Sequence, residues 1–353
     1  MAKRKYRDEN ESYESFKAEL RANQLRPAYV FFGEEKYLLQ NYRDQIRKKL
    51  VAGPAEDFNY HRFNDENWDV EAFADAVDAI PMMSEKSLVE IIDVNLFDSQ
   101  MSETERQRLI SVFSTLPEYC TTILVYDTLP WKPDKRMKKL WEAVSGAAKE
   151  VEFARQPESQ LIPWIMRHMA AYQKSISPDL CRYLILQTGG LMTALAVEID
   201  KIATYTDQQA ITRHDIDAVV IPVMEAEIYH ITDAVRVRDF DQALQKMRSL
   251  LLQEFEPIVI NAAIGRQLRQ LYAAKTLSEH GKGPYDLMQM CGIKDTAAQR
   301  LYNQASGFKK DVLKRGIRLS ADTDYAMKTS GGDSDVLLEM MLLRLAEMSG
   351  GSR

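Results

Sequence analysis

Residues 27–50 decide the fold of this chain, and they read PAYVFFGEEKYLLQNYRDQIRKKL. Residues 29–32 are a short apolar run rich in aromatic and branched side chains, which predicts a buried strand. Gly33 interrupts this run. Apolar residues then recur every four positions, at Leu38, Tyr42, Ile46 and Leu50. That spacing predicts an amphipathic helix, so the stretch has the strand, glycine turn and helix of a phosphate-binding loop.

The loop at Gly33 lacks the residues that bind nucleotide. A working site reads G-x-x-x-x-G-K-[ST], and its lysine and hydroxyl contact phosphate and magnesium. Here Glu34 and Glu35 follow Gly33, there is no second glycine, and Lys36 lies outside the motif. Two carboxylates suit the positive end of a helix dipole but would repel a triphosphate. The sequence therefore predicts a P-loop-like scaffold with a degenerate nucleotide site.

Composition excludes several other classes of protein. The chain has 353 residues and a net charge of −6, which argues against a polyanion-binding protein. No segment approaches the roughly 20 apolar residues of a membrane span, and the N-terminus does not resemble a signal peptide. The 3 cysteines and 5 histidines show no ligand or disulfide spacing. We expect a cytoplasmic protein with cysteines in its core and with no metal, cofactor or membrane partner.

The pattern of the chain predicts an α/β domain followed by two helical domains. Within residues 1–155, apolar runs at 29–32, 60–63, 88–94, 123–127 and 150–153 alternate with helical patterns, which predicts a parallel, doubly wound sheet. Strand patterns stop after Pro157. Residues 156–224 read as a small helical lid, with Thr212 as an N-cap. Residues 225–353 read as an all-α bundle, whose last helix is apolar almost all round and is expected to be buried on most sides.

Seven stretches of the chain resemble the delta subunits of the bacterial DNA polymerase III clamp loader. Four of them are YVFFGEEKYLL at 29–39, IPMMSEKSLVEI at 80–91, DKRMKKLWEAV at 134–144 and GGLMTALAVEIDKIATY at 189–205. The C-terminal third adds ITDAVRVRDFDQAL, AAIGRQLRQLYAAKTL and DTDYAMKTSGGDSDVLLEMMLLRL. The order and spacing of the seven stretches together identify the family more specifically than any single stretch does. The resemblance implies an AAA+-type sheet domain, a lid and a C-terminal collar domain.

The resemblance also implies a mechanical, non-catalytic role in DNA replication. The N-terminal domain of the family binds the beta sliding clamp and holds one interface of the ring open. The C-terminal domain joins a collar with the gamma/tau ATPase subunits and delta-prime. ATP is bound by those partners, and the assembled complex loads the clamp on primed DNA.

The family carries a pair of apolar residues just before the LVEI-type strand, and in this chain the pair is Met82 and Met83, preceded by Ile80 and Pro81. Many members have Leu-Phe or Phe-Phe there. From sequence alone, such a pair favours packing inside the domain. The resemblance instead implies exposed clamp-binding residues, and methionine is unbranched and adapts to the shape of a pocket.

For DNA, the resemblance points to the loop before the last helix, which reads KTSGG from Lys328. Some members carry an aromatic residue there. The small residues of this chain leave Lys328 as the candidate for a phosphate contact.

Three alternative functions fit the sequence less well. A working P-loop ATPase conflicts with the missing motif, and Asp93, at the position of a magnesium-binding aspartate, is followed by Val94 rather than a glutamate. A delta-prime subunit would be expected to carry a cysteine-rich zinc module near the first helix, and this sequence lacks one. A free-standing DNA-binding protein conflicts with the net charge of −6.

Overall fold

The computed structural model describes residues 2–350, with side chains for residues 11–54 and 56–347. The chain forms two compact units. The first contains Met1–Pro157 and Leu191–Thr193, and the second contains Glu158–Gly190 and Ala194–Arg353. The first unit is an α/β domain, and the second is helical. The further division of the helical part into a lid, 156–224, and a collar, 225–353, stays a prediction.

A parallel sheet of five strands forms the centre of the first unit, in the order β2-β3-β4-β1-β5. The strands are β1 Ala28–Phe32, β2 Tyr60–Phe63, β3 Ser87–Ile92, β4 Cys120–Tyr126 and β5 Ala148–Glu152. Strand β1 lies between β4 and β5, with Val30 opposite Leu124 and Glu150. The parallel, doubly wound sheet predicted from the apolar runs is confirmed.

Side chains alternate between the two faces of the sheet, so both faces need a helical cover. Tyr29 and Phe31 join the apolar core on one face, whereas Val30 joins the core on the other. The helices of this unit are α1 Ala2–Ala22, α2 Lys36–Val51, α3 Glu56–Asn59, α4 Val70–Asp78, α5 Glu103–Ser114 and α6 Lys138–Ala147. The first core includes residues of α1 and α2, and the second includes residues of α4, α5 and α6.

Four strands have bounds that differ from the predicted ones, and only β2 matches its prediction. For β3 and β4 the physical reason is identifiable. Strand β3 ends before Asp93 because that residue turns the backbone to a φ of 54°. Strand β4 begins at Cys120, earlier than expected. Thr121 and Thr122 are buried in the sheet, and their β-branched side chains suit a strand although their hydroxyl groups broke the apolar pattern.

The second unit contains eleven helices among its described residues. They are α7 Glu158–Ala171, α8 Pro178–Thr188, α9 Met192–Tyr205, α10 Arg213–Val219, α11 Met224–Val237, α12 Phe240–Leu252, α13 Pro257–Glu279, α14 Pro284–Cys291, α15 Asp295–Ser306, α16 Lys310–Thr329 and α17 Ser334–Gly350. The first residues of α9 belong to the first unit. The predicted cap of α10 is confirmed, since the Thr212 side chain accepts a hydrogen bond from the Asp215 N–H.

Helix α17 is buried on one face only in this chain, so the bundle by itself does not bury the helix on most sides. Leu338, Met341, Leu342 and Leu345 belong to the large core shared by helices α11 to α17. By contrast, Val336 is 51%, Met340 42% and Leu343 47% exposed. One apolar stripe of this helix packs into the core. A second apolar stripe, formed by residues three or four positions apart, faces outward.

Within residues 2–350, no single helix is long and apolar enough to cross a membrane. Among the described residues, no group of three or more His, Cys, Asp or Glu side chains could hold a metal ion. Cys120 and Cys181 are buried and Cys291 is partly buried, as expected of cysteines in a core.

Phe16 attaches α1 to the sheet, and its removal is expected to destabilise the first unit. Its ring is fully buried and makes edge-to-face contacts with Tyr29, Phe31 and Tyr42. We expect Phe16→Ala to lower the free energy of unfolding by about 3–5 kcal/mol, measured by urea titration. The matched control is Phe58→Ala, because Phe58 is 52% exposed in the same unit. Equal losses for both variants would contradict this packing.

Candidate functional site

Loops that follow β1, β3 and β4 meet at one edge of the sheet, because the carboxyl ends of parallel strands share an edge. Gly33 follows β1, Asp93 follows β3 and Asp127 follows β4. Gly33 has a φ of 130°, and a Cβ atom there would lie 2.4 Å from the carbonyl oxygen of Phe153. The turn therefore accepts only glycine, although no phosphate-binding motif surrounds it.

The two glutamates that follow Gly33 have protein partners. Glu35 is fully buried, and its carboxylate oxygens accept hydrogen bonds from the Met192 N–H at 3.2 and 3.3 Å. Its own N–H donates to the Phe153 carbonyl oxygen at 2.8 Å. The Glu34 side chain is exposed and accepts from Arg155 Nε at 2.6 Å. Both carboxylates that follow Gly33 are therefore bound to groups of the protein itself.

The other charged residues of this edge are also paired with the protein. Lys36 Nζ donates to the Asp127 backbone oxygen and lies 3.2 Å from its carboxylate. The Asp93 carboxylate accepts from the N–H groups of Asp127, at 2.8 Å, and Leu129, at 3.1 Å, and from the Thr128 hydroxyl at 2.9 Å. Asp93 thus fixes the loop after β4, which is a structural role.

Hydrogen bonding sets the pKa of Asp93. Partial burial opposes ionisation, but the bonds from Leu129, Thr128 and Asp127 outweigh it and hold the pKa of Asp93 below its ordinary value of 3.8. We name Glu34, Glu35, Lys36, Asp93 and Asp127 the carboxyl-edge cluster. A bound triphosphate would add negative charge beside four carboxylates and would have to compete for the one lysine of the cluster.

A second candidate site lies at the opposite, amino edge of the sheet. The projecting loop, residues 79–86, connects α4 to β3. Ile80 is 80% exposed, Met82 57% and Met83 77%, while Pro81 is partly exposed. Packing of the methionine pair inside the domain, which the sequence alone favoured, is therefore wrong. An ordered loop with adjacent exposed apolar side chains is suited to bind another protein.

Hydrogen bonds hold the projecting loop at both ends and near its middle. At its start, the Tyr119 hydroxyl donates to the Asp78 carbonyl oxygen at 2.9 Å. At its end, Lys86 Nζ donates to the Glu118 carbonyl oxygen at 2.6 Å. Between them, the side-chain amide of Asn59 bonds to both the N–H and the C=O of Met82. Asn59 is not apparent from the sequence, because a polar residue before a weak strand carries no motif.

The candidate DNA contact lies far along the chain, in the second unit. Lys328 is in the last turn of α16, and its ammonium pairs with Asp324 at 2.8 Å while remaining exposed. Tyr325, one turn earlier, is 70% exposed, which the sequence did not predict. An exposed ring beside an exposed cation offers both a stacking surface and a phosphate contact.

Comparisons with known proteins agree along most of the chain. Residues 29–153 match the family model described as DNA polymerase III, delta subunit. Residues 225–345 match the model described as DNA polymerase III delta subunit, C-terminal domain. The DNA polymerase III subunit delta of Bacillus subtilis is 27% identical over 329 residues, which cover 92% of this chain and 94% of that protein.

A second curated relative and a solved structure extend this likeness. The DNA polymerase III subunit delta of Escherichia coli is 21% identical over 314 residues, 88% of each chain. The solved structure of a Bacillus subtilis DNA clamp loader delta protein is 25% identical, with a TM-score of 0.56, and the match covers 95% of this chain and 99% of that one. The fold is thus shared with a clamp loader delta protein.

Asp93→Asn is expected to destabilise the first unit in a pH-dependent way. Because the folded-state pKa of Asp93 is lowered, its stabilisation is present above its ordinary pKa of 3.8 and is lost as the pH falls through the folded value. We expect a loss of about 2 kcal/mol at pH 7 that shrinks below about pH 4, measured by urea titration at several pH values. The control is the exposed Asp65→Asn, and a loss independent of pH would contradict the role of the charge.

Proposed function

The chain belongs to the family of DNA polymerase III delta subunits, and we propose that it acts as the delta subunit of a clamp loader that binds the beta sliding clamp and holds one interface of the ring open. The observation that carries this proposal is the projecting loop. Ile80, Met82 and Met83 are all more than half exposed on an ordered loop. A monomeric protein gains nothing from this exposure, whereas a binding site on the clamp would bury the three side chains.

The free energy gained from such burial suits reversible binding. Complete burial of one methionine or isoleucine side chain contributes roughly 1.5–3 kcal/mol. A few such anchors dominate the energy of an ordinary protein interface. Met82 and Met83 are therefore proposed as the main anchors, with Ile80 and Pro81 at the rim of the contact.

We propose that the chain hydrolyses no ATP and that its partner subunits supply the energy for loading. The carboxyl-edge cluster supports this, because Lys36 is paired with Asp127 and Glu35 is buried against the Met192 N–H. A working ATPase is the competing enzymatic function. It would need an unpaired lysine and phosphate-facing N–H groups at the place that these glutamates occupy.

The second unit is proposed to carry assembly with the gamma/tau ATPase subunits and delta-prime. The outer stripe of α17, formed by Val336, Met340 and Leu343, supports this role because it is apolar and about half exposed. Primed DNA is proposed to approach the end of α16, where Lys328 would contact phosphate and Tyr325 would stack on a base. The complete assembly would act in the cytoplasm, at the replication fork.

The methionine pair provides the most direct mutational test of this function. We expect Met82→Ala with Met83→Ala to weaken binding to the clamp by about 2–4 kcal/mol, roughly 30- to 1000-fold in Kd, since both anchors lose their buried methylene and thioether groups. The measurement is surface plasmon resonance with immobilised clamp. The melting temperature should change little, because both side chains are already exposed.

Met290→Ala is the matched control, because Met290 is 58% exposed in the second unit and Met82 is 57% exposed. This variant should bind the clamp as the original chain does. A double variant that keeps its full affinity for the clamp would overturn the proposed binding surface.

A charge in the outer stripe of α17 should weaken assembly with the ATPase subunits and leave binding to the clamp unchanged. We expect Met340→Glu to weaken association with the ATPase subunits at least about tenfold, because burial of an unpaired carboxylate is strongly unfavourable. Clamp binding should be unchanged, since the projecting loop lies in the first unit. Co-elution by size exclusion measures both, with Met290→Glu as the control, and normal assembly of Met340→Glu would contradict the assignment of this stripe.

A further inference from the structure

Adjacent residues of an extended chain point their side chains to opposite sides, so one residue of an exposed pair normally faces the protein. Met82 and Met83 avoid this, since both are more than half exposed. The backbone explains the exception, because Met83 has a φ of 59° and lies in the left-handed region. Residues other than glycine, asparagine and aspartate rarely adopt this conformation without support from their surroundings.

That support comes from the buried side chain of Asn59, which is 2% exposed. The Met82 N–H donates to Asn59 Oδ1 at 2.7 Å, and Asn59 Nδ2 donates to the Met82 carbonyl oxygen at 2.6 Å. Asn59 Nδ2 also donates to Ser84 Oγ at 2.9 Å. The Ser84 hydroxyl in turn donates to the Lys86 carbonyl oxygen at 2.6 Å. One amide thus fixes the residues on both sides of Met83.

We infer that Asn59 is a positioning residue for clamp binding, which holds the projecting loop in its binding conformation before the clamp arrives. This inference rests on the proposed function of Met82 and Met83. Asn59 itself is buried and is not expected to contact the clamp. Its contribution is preorganisation, because a loop that is already ordered loses less conformational entropy when it binds.

The chemistry of the amide is matched to this task. The side chain must accept a hydrogen bond from one backbone group of Met82 and donate to the other, and asparagine does both. Aspartate has nearly the same shape but cannot donate when ionised, so one of its oxygens would face the Met82 carbonyl oxygen. Asn59→Asp is therefore a conservative change in volume that removes the bond and adds repulsion.

The test compares Asn59→Ala and Asn59→Asp in two backgrounds, the original chain and the Met82→Ala, Met83→Ala variant. In the original chain we expect each to weaken clamp binding about tenfold, by analogy with other losses of preorganisation. In the alanine background the same substitutions should have little further effect, because the side chains that Asn59 presents are absent. Non-additivity of this kind distinguishes positioning from a general loss of stability.

The original chain provides a second readout that needs no variant. Amide hydrogen exchange should show the Met82 N–H protected, and Asn59→Asp should expose it while the strands of the sheet stay protected. A freely exchanging Met82 amide in the original chain would overturn the inference, as would an unchanged clamp affinity in both Asn59 variants, or equal losses in both backgrounds. If instead the alanine pair leaves clamp affinity intact, the proposed binding surface fails, and the inference fails with it.

Discussion

The parallel arrangement of the sheet is the constraint on which the rest of the first unit depends. Every paired strand in the order β2-β3-β4-β1-β5 is parallel to its neighbour. Such a sheet requires helices on both faces, and all of its connecting turns lie at two opposite edges. At the carboxyl edge a nucleotide would bind in a related fold, and there the charged residues are bound to the protein itself. At the amino edge the projecting loop presents unpaired apolar side chains. The same scaffold thus has charged residues paired within the protein at one edge and exposed apolar side chains at the other.

Much of this organisation is visible in the sequence because it depends on local patterns. The residues 29–32, followed by Gly33 and a four-residue apolar repeat, predicted β1, the turn and α2. The Thr212 cap predicted the start of α10 for the same reason, since the bonded groups are three residues apart. The degenerate nucleotide site is inferred from a local pattern too, the missing P-loop motif, and it stays a prediction. The strand, the turn, the helix and the cap each depend on residues close together in the sequence, and contacts with distant residues did not change them.

What the sequence did not show depends on residues that meet only after folding. Asn59 and Met82 are 23 positions apart, and an asparagine before a weak strand gives no sign that its amide orders a distant loop. Glu90 lies in the middle of β3 and is buried, because Arg43 of α2 binds both of its oxygens and Tyr60 donates to one of them. The two apolar stripes of α17 have similar compositions, so the sequence did not show which of them packs into the core.

We propose that the projecting loop binds the clamp without nucleotide. The most direct test is to measure binding of the full chain alone to the purified clamp, with and without Mg-ATP. Isothermal titration calorimetry should give a saturable complex whose Kd is the same under both conditions, and Mg-ATP titrated into the chain should produce no binding heat. The Asn59-ordered loop is already formed, so no nucleotide is needed to expose it. No complex in the absence of partner subunits, or an affinity that changes with ATP, would contradict the account.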